Sequence, residues 1–362
     1  MEFLPPYILL RLSQSADEAV RRIAVENLTA SAAMRALRAA LDAMPIMAAI
    51  PSLAREKERR IYDMKRRTFP LPGTLVLRED RPKSVRDPAA GEAFLHLGST
   101  YDFFLRVFGR NSLDDNGMAL IASVHYGRGY ANAFWNGEQM VFGDGDGRLF
   151  LRFTKSLDVV AHELAHGVIA HGPNLEYYGQ PGALNEHFAD VLGILVKQWT
   201  LGQPARKADW LIGSEIMGPK TKVRAIRTFK SGKAYENDPV FGTDPQPKHM
   251  RDYFDGDEDD GGVHINSGIL NHAFYRAAIA VGGKAWETLG PIWYKALMQL
   301  GRRSDIREAA RTTLETAERE RGRKSREAAA VRAAWKAVGV SSGPDKTTFA
   351  WPKRAIRAKI GP

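Results

Sequence analysis

The chain of 362 residues contains no cysteine. That removes disulfides, thiolate nucleophiles and thiolate metal ligands together. A metal held by side chains here must rely on histidine and carboxylate. Nor is there an apolar run of about 18 residues, so no segment reads as a membrane-spanning helix. The opening MEFLPPYILLRLSQSADEAVRR lacks a basic n-region, a long apolar stretch and a small-residue cleavage site, which are the marks of a secretory signal. On that ground the cytoplasm is the expected location, with export by a non-standard route as the exception.

What is present is a globular composition, 44% hydrophobic and 26% charged, in a chain long enough for two medium domains. The net charge of +10 raises nucleic acid as a partner. Its distribution argues otherwise. Basic residues cluster at 55–67, around residue 321 and after Gly343, while 255–262 is the acidic run DGDEDDGG. No basic stripe interleaved with aromatics accompanies them. Neither nucleic acid nor membrane is expected as a partner.

Residues 1–50 read as a small helical unit. One helix starts at Ser15 or Asp17 and runs through Val20, Ile23 and Ala24; a second carries Met34, Leu37, Leu41 and Met44 at helical spacing. The charged stretch Arg55–Arg67 lies between Pro51 and Pro70 and reads as an exposed connector. Strand signals follow at 74–77, 122–127 and 131–147, where GDGDG reads as a hairpin turn because a calcium loop needs a downstream acid that is missing. From residue 156 the pattern is helical. Ser156 is placed to cap the first helix, and further helices are expected after HINSG (264–268) and over 291–300. Asp305 with Glu308 forms a capping box, and the last helix ends near Val340. Four units are expected: 1–55, 56–175, 176–340 and a basic tail, 341–362.

The chemistry concentrates in DVVAHELAHGVIA (158–170). Four residues apart on a helix, His162 and His166 share a face and can aim at one metal ion. A catalytic zinc needs a third protein ligand and an open fourth corner. The second apolar helix, GALNEHFADVLGILVKQW (182–199), offers Glu186, with Asp190 one turn on. Two acids on an otherwise apolar helix are costly unless something cationic meets them.

Together HELAH, GALNEHFAD, NAFWNGEQMVFGDGDG and GGVHINSGI resemble the thermolysin family of zinc metallopeptidases, over roughly residues 62–340. The opening PPYILLRL resembles the short propeptides of its protealysin-like branch. The resemblance implies an α+β fold: a β-rich N-terminal lobe and an α-helical C-terminal lobe flank a cleft, preceded by a small helical propeptide. It implies a monomeric, zinc-dependent neutral endopeptidase, made as a latent precursor blocked by its own propeptide. Peptide bonds on the amino side of bulky hydrophobic residues are the substrates. A catalytically silent peptide-binding relative is the alternative.

Carried across by motif, His162, His166 and Glu186 bind one zinc, with Asp190 and Asn185 orienting the ligand histidines. Glu163 is the general base. His264 and Tyr177 stabilise the oxyanion, Asp259 orients His264, and Tyr178 is the neighbour that competes with Tyr177. Asn132 and Ala133 form the edge that pairs with an extended substrate, and Arg227 holds a substrate carbonyl. Phe150, Phe153, Val159, Ile212 and Ile226 line the pocket after the scissile bond. His96, His125, His171, His187, His249 and His272 are left to structure or surface. The rest of the acidic run reads as a solvated loop or a weak calcium site. Thermolysin's double calcium site is matched by Asp158 and Asp209, but Lys197 and Ser214 stand where it has glutamates. That site is therefore expected to be absent or reduced to one weak ion, with Lys197 pairing the two acids. The basic tail has no counterpart in the resemblance.

Overall fold

The computed structural model describes residues 1–41, 56–80, 86–230 and 233–342. Met44, at the end of the expected second helix, the leader's expected end at residue 55 and the tail from residue 343 lie outside the described residues.

Helix α1 (Pro6–Leu12) begins at a proline, whose missing N–H costs nothing in a first turn. Helix α2 (Glu18–Leu41) is capped by Asp17, whose Oδ1 accepts the Ala19 amide at 2.9 Å. It is one helix where two were expected, because residues 25–33 contain neither glycine nor proline to stop it.

Within the expected connector, residues 59–63 instead form a strand. Strand β1 (Arg59–Asp63) pairs with β2 (Thr74–Arg78), and Ile61 is fully buried. Its charged neighbours are accommodated because alternate side chains point to opposite faces. Arg59 forms an ion pair with Glu79 and lies 3.6 Å from the centre of the Phe94 ring. After α3 (Pro88–Phe103) come β3 (Leu120–Val124), β4 (Ala133–Trp135) and β5 (Met140–Phe142). The sheet order is β2-β1-β3-β5-β4, with β3 parallel to both β1 and β5. This mixed sheet leaves β4 at one edge.

Helices α4 (Leu157–Ala170) and α5 (Gly179–Leu201) pack side by side. The short pair β6 (Leu211–Ile212) and β7 (Arg227–Thr228) follows, then α6 (Glu258–Val281), α7 (Ala285–Leu297), α8 (Ile306–Arg321) and α9 (Arg326–Ala337). Ser156 does not cap α4 through its side chain; its hydroxyl is bonded to Asp158. Asp305 does cap α8, accepting the Glu308 amide at 2.8 Å.

HINSG lies inside α6 rather than ahead of it. The reason is a left-handed turn in the acidic run: Asp259, Asp260, Gly261 and Gly262 have φ of 57°, 53°, 79° and 76°. L-residues rarely adopt this conformation and glycine does so freely. Gly261 also comes so close to α5 that a Cβ would sit 3.1 Å from the Gly179 Cα. A β-rich lobe and a helical lobe thus meet along α4, with the edge of β4 on one side of a cleft and the start of α6 on the other.

Candidate active site

All four ionisable groups of the HELAH–GALNE pair are buried: His162, Glu163, His166 and Glu186 are at most 1% exposed. Such a concentration of buried polar groups is costly wherever a partner is missing. The His162 Nδ1 lies 2.9 Å from Asp190 Oδ1, and the His166 Nδ1 lies 2.9 Å from Asn185 Oδ1. The Asn185 amide donates to the Leu175 carbonyl at 3.2 Å, which leaves its oxygen for His166 and fixes that ring's Nδ1 as the donor. Each Nε2 then carries a lone pair, and the two Nε2 atoms face each other at 3.0 Å. Two lone pairs repel unless a cation lies between them. Glu186 adds carboxylate oxygens 3.5 Å from one and 3.4 Å from the other. Two imidazoles and one carboxylate, each offering an atom within 4.8 Å of the others, form a donor set that suits zinc with one corner open.

Asp190 is held from three sides. Arg227 grips it at 2.9 and 3.0 Å, and the Asn271 amide donates to it at 2.8 Å. Against the cost of burial, Arg227 and His162 keep this carboxyl well below the usual range, so it meets His162 as an anion. Burial pushes the Glu163 carboxyl well above the usual range.

Across the cleft, Asp259 fixes His264 twice, accepting its backbone amide at 2.8 Å and its Nδ1 at 2.6 Å. Burial opposes the charge on this imidazole, yet the carboxylates of Glu186 and Asp259 hold it up at about 9. Tyr177 reaches both Glu186 Oε1 at 2.5 Å and His264 Nε2 at 3.3 Å. Tyr178 is 53% exposed and turns to Asp257, so Tyr177 is the one that faces the cluster.

The cleft holds the chain's own first residues. Glu2 pairs antiparallel with Phe134. The Phe3 amide donates to the Ala133 carbonyl at 2.9 Å, and the Leu4 amide to Asn132 Oδ1 at 2.7 Å. The Glu2 carbonyl lies 2.9 Å from His264 Nε2, and Arg227 donates to the Phe3 carbonyl at 2.8 Å. The fully buried Phe3 ring stands edge-on to His162 and Phe153, 5.4 and 6.2 Å between centres. Burying such a ring stabilises by about 1.5–3 kcal/mol.

Of the expected pocket residues, Phe153 meets Phe3 directly. Val159, Ile212 and Ile226 are fully buried, and the Ile212 carbonyl accepts the Ile226 amide at 3.0 Å. Phe150 stands further back, 6.2 Å from Phe153, beside leader residues Leu9, Leu12 and Val20. Gly213 escaped the sequence reading. Its φ is +70°, and a Cβ there would lie 3.0 Å from both Phe3 and Ile226. A lone glycine closing a strand pattern was the signal. Asn271, a buried amide on an apolar helix, was legible by the same polar-burial logic that found Asp190.

Away from the cleft, Lys197 Nζ sits 3.1 Å from Asp158, 3.3 Å from Asp209 and 3.2 Å from the Leu211 carbonyl. Burial disfavours the ammonium, but the two acids outweigh it and raise its pKa.

Residues 52–170 match the thermolysin metallopeptidase catalytic domain and residues 173–340 its alpha-helical domain. The "Extracellular metalloprotease" of Pectobacterium carotovorum subsp. carotovorum is 45% identical, covering 93% of this chain and 95% of that protein. The solved precursor of protealysin, a metalloproteinase from Serratia proteamaculans, superposes with a TM-score of 0.84 at 44% identity, covering 94% of this chain and all of that one. The thermolysin of Alicyclobacillus acidocaldarius subsp. acidocaldarius is 38% identical, and this chain spans half its length. The extracellular relative overturns the cytoplasmic expectation. That expectation tested one export signal, in an opening whose first four residues lie along the cleft. Both halves of the catalytic unit and the precursor structure agree: the chain belongs to the thermolysin family of zinc metallopeptidases, on its protealysin-like branch.

Proposed function

We propose that the protein is a latent, secreted zinc endopeptidase that cuts on the amino side of bulky hydrophobic residues. The observation that carries this reading is the extended segment Glu2–Leu4, lying beside the two histidines and Glu186 with Phe3 in an apolar pocket. Zinc supplies a Lewis acid that brings the pKa of water down towards ~7. Glu163 is the base: buried within electrostatic reach of Glu186 and Glu2, it takes a proton from the attacking water and passes it to the leaving amine. His264 and Tyr177 donate to the oxygen where negative charge grows, and Asp259 keeps the His264 ring aligned. Ala133 and Asn132 hold the substrate by strand addition, Arg227 takes the carbonyl after the scissile bond, and Asp190 and Asn185 orient the ligand rings.

We assign one zinc and no double calcium site, with Lys197 as the fixed cation between Asp158 and Asp209. Residues 1–55 act as the inhibitory leader, 56–175 and 176–340 as the two catalytic lobes, and the processed enzyme as a monomer. Its presence outside the cell follows the naming of its Pectobacterium relative.

The test is cleavage of a mixed peptide library by purified protein, with chelator, with zinc restored, and with Glu163→Ala. Chelator-sensitive cuts before Leu, Phe and Ile, absent in the variant, are expected. Cleavage that survives both treatments overturns the reading, and binding of peptides without any cleavage returns the silent alternative.

A further inference from the structure

Along β4 and its approach, alternate residues present their peptide groups to the cleft. The Trp135 carbonyl accepts the Met1 nitrogen at 3.2 Å, and the Ala133 carbonyl accepts the Phe3 amide at 2.9 Å. Intervening residues face the sheet instead: Gly143 donates to the Asn132 carbonyl at 3.0 Å and Gly145 to the Tyr130 carbonyl at 2.9 Å. Ala131 therefore holds the next position on the cleft side.

In an antiparallel ladder, hydrogen-bonded rungs recur every second residue on each strand. The rungs at Trp135 and Ala133 are made through their carbonyls, the Ala133 amide being taken by Asn132 Oδ1 at 2.9 Å, and the same spacing places a third between Ala131 and residue 5. The leader cannot make it. Residue 5 is proline, and its carbonyl turns away to accept the Ile8 amide at 3.1 Å as α1 begins. The Ala131 amide goes instead to Asn27 Oδ1 at 2.7 Å, across 104 positions of sequence. Asn27 sits on α2 at 2% exposure, and its own amide is tied to the Ile23 carbonyl at 2.7 Å. An asparagine side chain carries the same carbonyl acceptor as a peptide group, so Asn27 fills the rung that Pro5 leaves open.

We propose that the Ala131 N–H is a further substrate contact. It binds the backbone carbonyl of the third residue after the scissile bond, and Asn27 occupies it while the leader is in place. With the leader in place Ala131 is only 2% exposed, and a buried N–H without an acceptor is costly, a cost that Asn27 removes. When α2 leaves, an extended peptide that does not turn at its third residue brings a carbonyl to this amide. The ligand class is any peptide with at least three residues beyond the cut, whatever its side chains, because the contact is to backbone.

This inference rests on the peptidase reading, and two peptides separate its failure from failure of that reading. Both are identical through Phe-Leu after the scissile bond. One ends as the leucine ethylamide and the other as Leu-Gly-amide; only the second supplies the third carbonyl. With the zinc-loaded full chain after it has processed itself, the Leu-Gly-amide is expected to show a ~3–10-fold higher kcat/KM, the worth of one net hydrogen bond. Equal kcat/KM overturns the proposal while leaving the peptidase reading intact; no turnover of either peptide overturns both. In the unprocessed chain, Asn27→Ala is expected to raise basal activity several-fold, and Asn27→Asp, which keeps the acceptor, to stay latent. An Asn27→Ala chain as silent as the wild type also overturns the proposal.

Discussion

The Glu2 carbonyl and the His264 ring nitrogen Nε2 lie 2.9 Å apart, although 262 positions separate the two residues in sequence. A carbonyl there, an apolar ring in the adjoining pocket and two amides on the β4 edge are the contacts expected of a substrate. Latency on this view is occupancy of the cleft, and Phe3 is its anchor. Phe3→Ala removes a buried ring and leaves a cavity, a change that costs about 3–5 kcal/mol at core sites. Freshly purified Phe3→Ala chain should hydrolyse a quenched hydrophobic peptide well before the wild type does. If it stays silent, occupancy of the pocket is not what restrains the enzyme.

Asp190 and Asn185 each meet the Nδ1 of one of the paired histidines, but their substitutions should differ. Asn185→Ala removes one hydrogen bond to His166 and should weaken zinc binding ~10–100-fold with a modest fall in Tm. Asp190→Asn does this for His162 and also strands the fully buried Arg227, whose charge then lacks its partner. Breaking a buried pair from one side costs about 3–5 kcal/mol. Competition with a chromogenic chelator and parallel melting curves check both. Equal Tm losses in the two variants would show that Arg227 does not depend on Asp190.

Much of this site was legible because the chemistry leaves few options. Two histidines four apart, with acids on an apolar helix, are expensive without a cation, so His162, His166, Glu186 and Asp190 stand out in the sequence. Strand β1 was misread because its charged residues outnumber Ile61; only the partners of Arg59, brought from Glu79 and Phe94, make it a strand. The role of residues 2–4 could not be read locally either. Nothing in MEFL marks a plug until the fold brings Ala133, Arg227 and His264 to the same cleft. Gly213 and Asn27 matter through contacts with that plug and with the approach to β4, which no periodicity encodes.

Lys197 predicts indifference to calcium. Its ammonium already lies between Asp158 and Asp209, where a divalent ion would compete with a fixed charge. The Tm of the wild type should be unchanged by millimolar calcium or by a calcium-selective chelator. Lys197→Ala leaves the fully buried Asp158 without its cation and should cost about 3–5 kcal/mol, part of it recovered when calcium is added. A wild-type Tm that climbs with calcium would contradict the substitution of one charge for the other.

His125 gives a pH signature separate from the active site. Its Nε2 lies 2.8 Å from Asp87, the cap of α3, and its Nδ1 2.9 Å from Asp144 in the turn after β5. The nearby Arg152 is itself paired with Glu92. The hydrogen bond to Asp144, opposed by burial and aided by Asp87, holds the imidazole up at about 9, above the ordinary value of ~6.5. Between those two values the folded chain binds more protons than the unfolded chain, so stability falls as pH rises. The clamp's contribution is complete below pH ~6.5 and is lost as pH passes about 9. The slope is at most about 1.4 kcal/mol per pH unit, and less here because the ring is a quarter exposed. Melting curves of Glu163→Gln chain, which cannot digest itself, should fall across this window. Adding His125→Asn should flatten the fall, while lysines and tyrosines titrate equally in both and cancel in the difference. Parallel curves for the two proteins would mean that the imidazole is not charged between its two aspartates.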